Sequence, residues 1–229
     1  MNGRTLVTDR IRTGGLYGLT AEKFSRGRTN TEVVRAMLDA GIGIIQYREK
    51  TKKMGMKLDE CLLLRRMTRE YGAAFIVNDD IDLALLVEAD GVHVGQEDLP
   101  VAAVRRLVGS DVAIGLSTHS PDQARAAMTV GADYIGVGPI FATRTKEDVC
   151  APVGLHYLDF VAHNIDLPCV AIGGIKEHNL AEVKAHGARC TALVTEIVGA
   201  QDMGTTIRRL QRILESHGSP PDRTRSRDS

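Results

Sequence analysis

The chain carries no net charge: 29 Lys and Arg balance 29 Asp and Glu. A field of one sign, the usual electrostatic warrant for a nucleic-acid or anionic-membrane partner, is missing, so any anion site must be local. The four cysteines, Cys61, Cys150, Cys169 and Cys190, form no CxxC pair and no metal-ligand spacing. Cys61 and Cys169 lie in apolar periodic stretches and are expected as core thiols in a reduced, cytoplasmic setting. No apolar run approaches a membrane span, and the N-terminal residues lack the apolar region of a secretory signal. The closing stretch from Ser219 to Ser229 has no apolar content and reads as disordered. What remains is ordinary globular composition, 43% hydrophobic and 25% charged over 229 residues, enough for one large α/β domain. Residues 1–217 are expected to form that domain and 218–229 a tail.

Short apolar runs recur along the chain, each followed by a helical pattern. The expected strands are Leu16–Leu19, Gly43–Tyr47, Ala74–Asn78, Gly91–Val94, Ala113–Ser117, Tyr134–Gly138, Cys169–Ile172 and Ala192–Val194. The intervening segments are amphipathic at spacings of three and four, as in Val33, Val34, Met37 and Leu38. A weak repeat runs through Glu88-Ala-Asp90-Gly-Val, Gly131-Ala-Asp133-Tyr-Ile and Gly187-Ala-Arg189-Cys-Thr, each a helix end just before a strand. Eight strands alternating with helices predict a single-domain (β/α)8 barrel. The rival open sheet would usually show a glycine-rich turn after its first strand, and Gly18 to Glu22 does not supply one.

In a barrel, chemistry gathers where the strands end. The second strand runs out as Gln46-Tyr47-Arg48-Glu49-Lys50. Side chains alternate along a strand, so Gln46, Arg48 and Lys50 share one face, and Tyr47 and Glu49 the other. An amide and two cations on one face read equally as an anion clamp or as a strand end entering water. The third strand ends Asn78-Asp79-Asp80 and the fourth is followed by Gly95-Gln-Glu-Asp98. Asp79 and Asp98 on neighbouring strands suit Mg²⁺; each is also placed to cap the next helix, and one of Asp79 and Asp80 is expected to do so. Ser117 offers a hydroxyl to a phosphate or to a local turn, and His119 is expected as a positional polar residue. Thr143, Thr145 and Lys146 lie in a polar loop fit to hold phosphate or simply to connect. Gly173-Gly174 and Val194-Thr195, at the last two strand ends, match a common barrel phosphate corner.

Taken in order from about Leu16 to Ile197, Gln46 to Lys50, Asn78-Asp79, Gly95 to Asp98, Ser117, Thr143 to Lys146, Gly173-Gly174 and Val194-Thr195 closely resemble the thiamine phosphate synthase family. The resemblance implies a (β/α)8 barrel that joins a hydroxymethylpyrimidine diphosphate to a thiazole phosphate, carboxylated or not, releasing pyrophosphate. It implies Gln46 to Lys50, with Tyr47 and Glu49 inside that run, and Asn78, Ser117 and Lys146 at the pyrimidine diphosphate. Arg48, Lys50, Ser117 and Lys146 would be the catalytic set, Asp79 and Asp98 the Mg²⁺ ligands, and Thr143, Thr145, Gly174, Val194 and Thr195 the thiazole phosphate site. Partners are then small molecules, with homo-oligomerisation left open. Two departures stand out: family members commonly carry Ser at Thr195 and Ala at Glu196. A related thiazole tautomerase and a silent precursor-binding barrel are the alternative readings.

Overall fold

The computed structural model describes residues 1–143, 145 and 150–216. Lys146 and the expected tail 218–229 lie outside the described residues. The described elements run α1 (Gly3–Thr13), β1 (Gly15–Leu16), β2 (Gly18–Leu19), α2 (Asn30–Asp39), β3 (Ile44–Tyr47), α3 (Met54–Glu70), β4 (Ala74–Asn78), α4 (Ile81–Leu86), β5 (Gly91–Val94) and α5 (Val101–Val108). They continue with β6 (Ala113–Thr118), α6 (Pro121–Val130), β7 (Tyr134–Val137), α7 (Gly154–Asn164), β8 (Cys169–Ile172), α8 (Glu177–Ala185), β9 (Cys190–Ala192), α9 (Val194–Val198) and α10 (Met203–Ser216). Every strand pair is parallel, in the order β1-β9-β8-β7-β6-β5-β4-β3-β2.

β1 and β2 are halves of one barrel strand, interrupted at Tyr17, where the chain changes partner. Gly15 and Leu16 pair with Cys190 and Thr191, whereas Gly18 and Leu19 pair with Ile45 and Gln46. The single strand expected over Leu16–Leu19 is thus the seam that closes an eight-position barrel. Helix starts carry the expected chemistry: Thr29 and Glu32 form a reciprocal capping box on α2, and Ser120 accepts from Gln123 N–H ahead of Pro121 on α6.

Alternation along the strands separates two cores. Ile45, Phe75, Val77, Val92, Ile114, Ile135 and Ala171 face outward onto the helices, while Ile44, Ala74, Ile76, Ala113, Tyr134 and Val170 fill the barrel. The inner core also takes Val7 and Ile11 of α1, at 0% and 1% exposure. No helix is expected there from the sequence. Only this one-turn apolar pair marks it, and burying each is worth ~1.5–3 kcal/mol.

The weak repeat has a structural meaning. Asp90 accepts from Phe75 N–H at 2.8 Å and from Arg65 at 2.6 and 3.0 Å; Asp133 accepts from Ile114 N–H at 2.8 Å and from Arg105 at 2.5 Å. Each carboxylate sits just before its strand and pins the preceding strand to an arginine of the helix that leads into that preceding strand.

Two local expectations are corrected. The last strand ends at Ala192, its final residue paired with Ile172, and Val194 and Thr195 begin α9 rather than extending a strand. Ladder pairing runs out there, so helical hydrogen bonding takes over. Neither Asp79 nor Asp80 caps α4: Asp80 occupies the cap position but its carboxylate goes to Lys57 Nζ at 2.8 Å instead. A charge pair with an almost wholly buried ammonium is the stronger attraction.

Candidate active site

The C-terminal mouth of the barrel receives the inward-facing ends of consecutive strands. On β3, Gln46 is buried in the barrel and its Nε2 donates to the Tyr17 hydroxyl at 2.8 Å. Tyr47 faces the other way: 1% exposed, it donates from its hydroxyl to Glu60 at 2.7 Å. Its side chain therefore points to the helix layer rather than to the mouth, as strand alternation dictates. The Glu49 carboxylate is taken up by the N–H and hydroxyl of Thr51, at 2.8 and 2.9 Å. Glu60 and Glu22 also hold Lys52, which fastens the loop after β3 to α3.

Arg48 is partly buried, its N–H accepted by Thr20 Oγ1 and its C=O accepting from the same hydroxyl. Burial pulls its guanidinium below the ordinary arginine range, against the opposing pull of Asp79 and Glu49. Among the described residues no carboxylate comes within ion-pair distance of it. A half-desolvated cation in that position is stabilised by an incoming anion.

Lys50 pairs with Asp79 across the gap between β3 and β4. The Asp79 backbone is left-handed, φ 62°, while its N–H donates to His93 O at 2.9 Å. That conformation costs a non-glycine residue ~1–3 kcal/mol and is concentrated at functional sites. Asp98, exposed beyond β5, accepts from Gly95 N–H through Oδ2 at 2.7 Å. This turn replaces the expected helix cap. Among the described residues the second oxygen of each acid accepts no hydrogen bond, and no group of three or more His, Cys, Asp or Glu forms a metal cage. The donor set fits Mg²⁺, which takes one or two carboxylates and leaves its other positions to phosphate and water.

On β6, Ser117 Oγ lies 2.9 Å from His93 Nε2, and its C=O accepts from Gln96 Nε2 at 2.6 Å. His119 Nδ1 contacts Gly138 O at 2.5 Å. His93, Tyr17 and Tyr134 were not among the expected site residues. They are inward-facing polar groups within otherwise apolar strands, and that alternation was the available signal.

The opposite rim is built around Gly173 and Gly174. Phe141 N–H donates to Gly173 O at 2.9 Å and Ile140 N–H to Ile172 O at 3.0 Å, so the loop after β7 lies across the end of β8. Thr143 and Thr145 follow directly, their hydroxyls 3.0 Å apart. Thr195 Oγ1 accepts from Lys176 Nζ at 2.9 Å, and Lys176 also pairs with Glu196 at 3.1 Å. Glu196 further accepts from Glu177 N–H at 3.3 Å. Its charge is therefore compensated in place, and Lys176 was not anticipated as the compensating group.

A parallel eight-position barrel whose mouth carries cations, paired acids and hydroxyls defines a barrel enzyme acting on anionic small molecules. A family model for thiamine monophosphate synthase matches residues 16–197, and the chain belongs to that family. It is 64% identical over 199 residues to the thiamine-phosphate synthase of Pelotomaculum thermopropionicum, covering 87% of this chain and 91% of the relative. It is 54% identical over 203 residues to that of Lawsonia intracellularis, covering 88% and 94%. The solved thiamine phosphate pyrophosphorylase from Pyrococcus furiosus superposes with a TM-score of 0.82 at 34% identity, covering 90% of this chain and 98% of the other.

Proposed function

We propose that this transferase joins 4-amino-2-methyl-5-hydroxymethylpyrimidine diphosphate to 4-methyl-5-(2-phosphoethyl)thiazole, carboxylated or not, with Gln46, Arg48, Lys50, Asn78, Ser117 and Lys146 at the diphosphate substrate. The C–O bond between the pyrimidine methylene and the diphosphate breaks, pyrophosphate departs with the electron pair, and the thiazole nitrogen forms the new C–N bond; from a carboxylated thiazole the carboxylate then leaves as CO2 and the ring carbon that carried it takes a proton from water. That nitrogen is already nucleophilic, so no general base is required. Arg48 and Lys50 stabilise the negative charge growing on the leaving group, and the half-buried position of Arg48 strengthens that effect. Thr143, Thr145, Gly174, Val194 and Thr195 orient the thiazole phosphate on the opposite rim, so that much of the acceleration comes from positioning.

Asp79 and Asp98 would hold Mg²⁺, which supplies charge neutralisation on the diphosphate when bound. One barrel domain over 1–217 and a cytoplasmic setting complete the reading; none of the four cysteines is in a disulfide among the described residues, and no helix among them is long and apolar enough to cross a membrane.

The observation that carries the reading is a half-buried Arg48, with no carboxylate at ion-pair distance among the described residues, beside the Lys50–Asp79 pair at one rim, facing the glycine-built rim opposite. Neither the tautomerase nor the silent-barrel alternative gains support from the relatives compared, which are named as synthases. The test is direct: purified protein, both precursors and Mg²⁺, with thiamine phosphate and pyrophosphate measured together. No product from precursors that a known synthase consumes would sink the reading. Asp98→Ala is expected to lose most turnover, and undiminished turnover removes Asp98 from the metal site.

A further inference from the structure

Beneath the mouth, five side chains from five strand positions form a continuous hydrogen-bonded chain inside the barrel. Gln46 Nε2 donates to Tyr17 OH at 2.8 Å; Tyr17 OH and Tyr134 OH are 3.1 Å apart; Tyr134 OH is 3.1 Å from His93 Nδ1; His93 Nε2 is 2.9 Å from Ser117 Oγ. Its two ends, Gln46 and Ser117, are both assigned to the pyrimidine diphosphate above.

One direction satisfies every link of the chain. In it Gln46 Nε2 donates to the Tyr17 oxygen and the Tyr17 hydrogen goes on to Tyr134. The Tyr134 oxygen accepts, and its hydrogen goes to His93 Nδ1. A ring nitrogen that accepts carries no proton, which puts the imidazole proton on Nε2. Nε2–H then donates to Ser117 Oγ, and the Ser117 hydrogen is left to point elsewhere. Both tyrosines are completely enclosed, and burial pushes each phenol above its ordinary range, so both keep the hydrogens the chain needs.

A second observation shows that the contact is built into the fold. A Cβ at Gly115 would lie 2.4 Å from His93 Nδ1 and 2.5 Å from Tyr134 OH. Only glycine at that position of β6 lets the imidazole and the phenol meet.

We propose that Tyr17, Tyr134 and His93 are positioning residues: they hold His93 as its Nε2–H tautomer, so that Ser117 presents its hydroxyl as a hydrogen-bond donor to the pyrimidine diphosphate. The inference rests on the substrate assignment above. If the chain is interrupted at Tyr134, the imidazole can adopt the other tautomer, Ser117 can donate to Nε2, and the substrate loses that donor.

The test uses the full chain labelled with ¹⁵N-histidine. Long-range ¹H–¹⁵N correlation reads the His93 tautomer, assigned by loss of its signals in His93→Gln. The expected wild-type result is protonation at Nε2 alone. In Tyr134→Phe, the Nδ1–H form should become populated, and KM for the pyrimidine diphosphate should rise about tenfold, the effect of one directed hydrogen bond. KM for the thiazole phosphate should stay unchanged. A wild-type His93 protonated at Nδ1, or an unaltered pyrimidine KM in a folded Tyr134→Phe, overturns the proposal. The wild-type spectrum decides even if that variant fails to fold. Because the tautomer is read without turnover, a chain that makes no thiamine phosphate refutes the functional reading separately.

Discussion

Replacing Gly174 by alanine tests whether the glycine pair is there to dock the loop carrying Thr143 and Thr145. Gly174 has φ 65°, and a Cβ there would meet Ala142 O, Phe141 O and Phe141 Cβ, each at 2.7 Å. The left-handed backbone alone costs alanine ~1–2 kcal/mol. Two of the three close atoms are backbone oxygens that no side-chain rotation can remove, so overpacking adds ~1–3 kcal/mol. A loss of about 3 kcal/mol lowers the melting temperature of a chain this size by about 6–12 °C. Relief of the clash requires the 141–142 backbone to lift from β8, which carries Thr143 away from the thiazole rim. A displacement near 1 Å can cost about 10²-fold in rate. Scanning calorimetry and kinetics with each precursor varied in turn check both effects. The expected pattern is a lower kcat/KM for the thiazole phosphate with little change in KM for the pyrimidine diphosphate. Gly109→Ala is the control: φ is 73° but nothing lies within 4 Å, so only the backbone cost should appear and kinetics should be unaltered. A Gly174→Ala protein no less stable than Gly109→Ala, with unchanged thiazole kinetics, refutes the loop-docking argument.

Other outcomes follow from the same geometry. Asp133→Ala should destabilise by about 3 kcal/mol, because it leaves Ile114 N–H without its acceptor and takes the counter-ion from Arg105 and Arg4; chemical denaturation measures this, and kcat should not move, since Asp133 precedes its strand at the barrel end opposite the mouth. Lys176→Met should raise KM for the thiazole phosphate, because it strips the counter-charge from Glu196 beside Thr195; the double change Lys176→Met with Glu196→Gln should restore it, and steady-state kinetics compare the two. The Glu32 carboxyl is held below its ordinary value of 4.5 by hydrogen bonds from the Thr29 backbone and hydroxyl. A depressed carboxyl stabilises the folded chain above its unfolded pKa and loses that effect as pH falls through the folded one. The melting-temperature gap between wild type and Glu32→Gln should therefore be full at neutral pH and close below about pH 4.

The sequence by itself determined the barrel, because eight apolar runs separated by amphipathic helical segments have few parallel arrangements that bury both faces of every strand. It also determined the facing of the β3 run: a period of two commits Gln46 and Arg48 to one side and Tyr47 to the other. The ordered motifs carried the family. Spacing could not supply the partners of polar groups, since hydrogen bonds across the barrel join residues far apart in the chain, such as Tyr17 and Tyr134, 117 positions apart. For that reason the interior chain to Ser117 was invisible, as was the compensation of Glu196 by Lys176. The choice between Asp80 as a cap and Asp80 as the counter-ion of Lys57 was likewise tertiary, because it turned on which donor the packed helices brought near. Even the end of β9 was decided by its neighbour: strand pairing stopped with Ile172, and the next residues had only helical partners left.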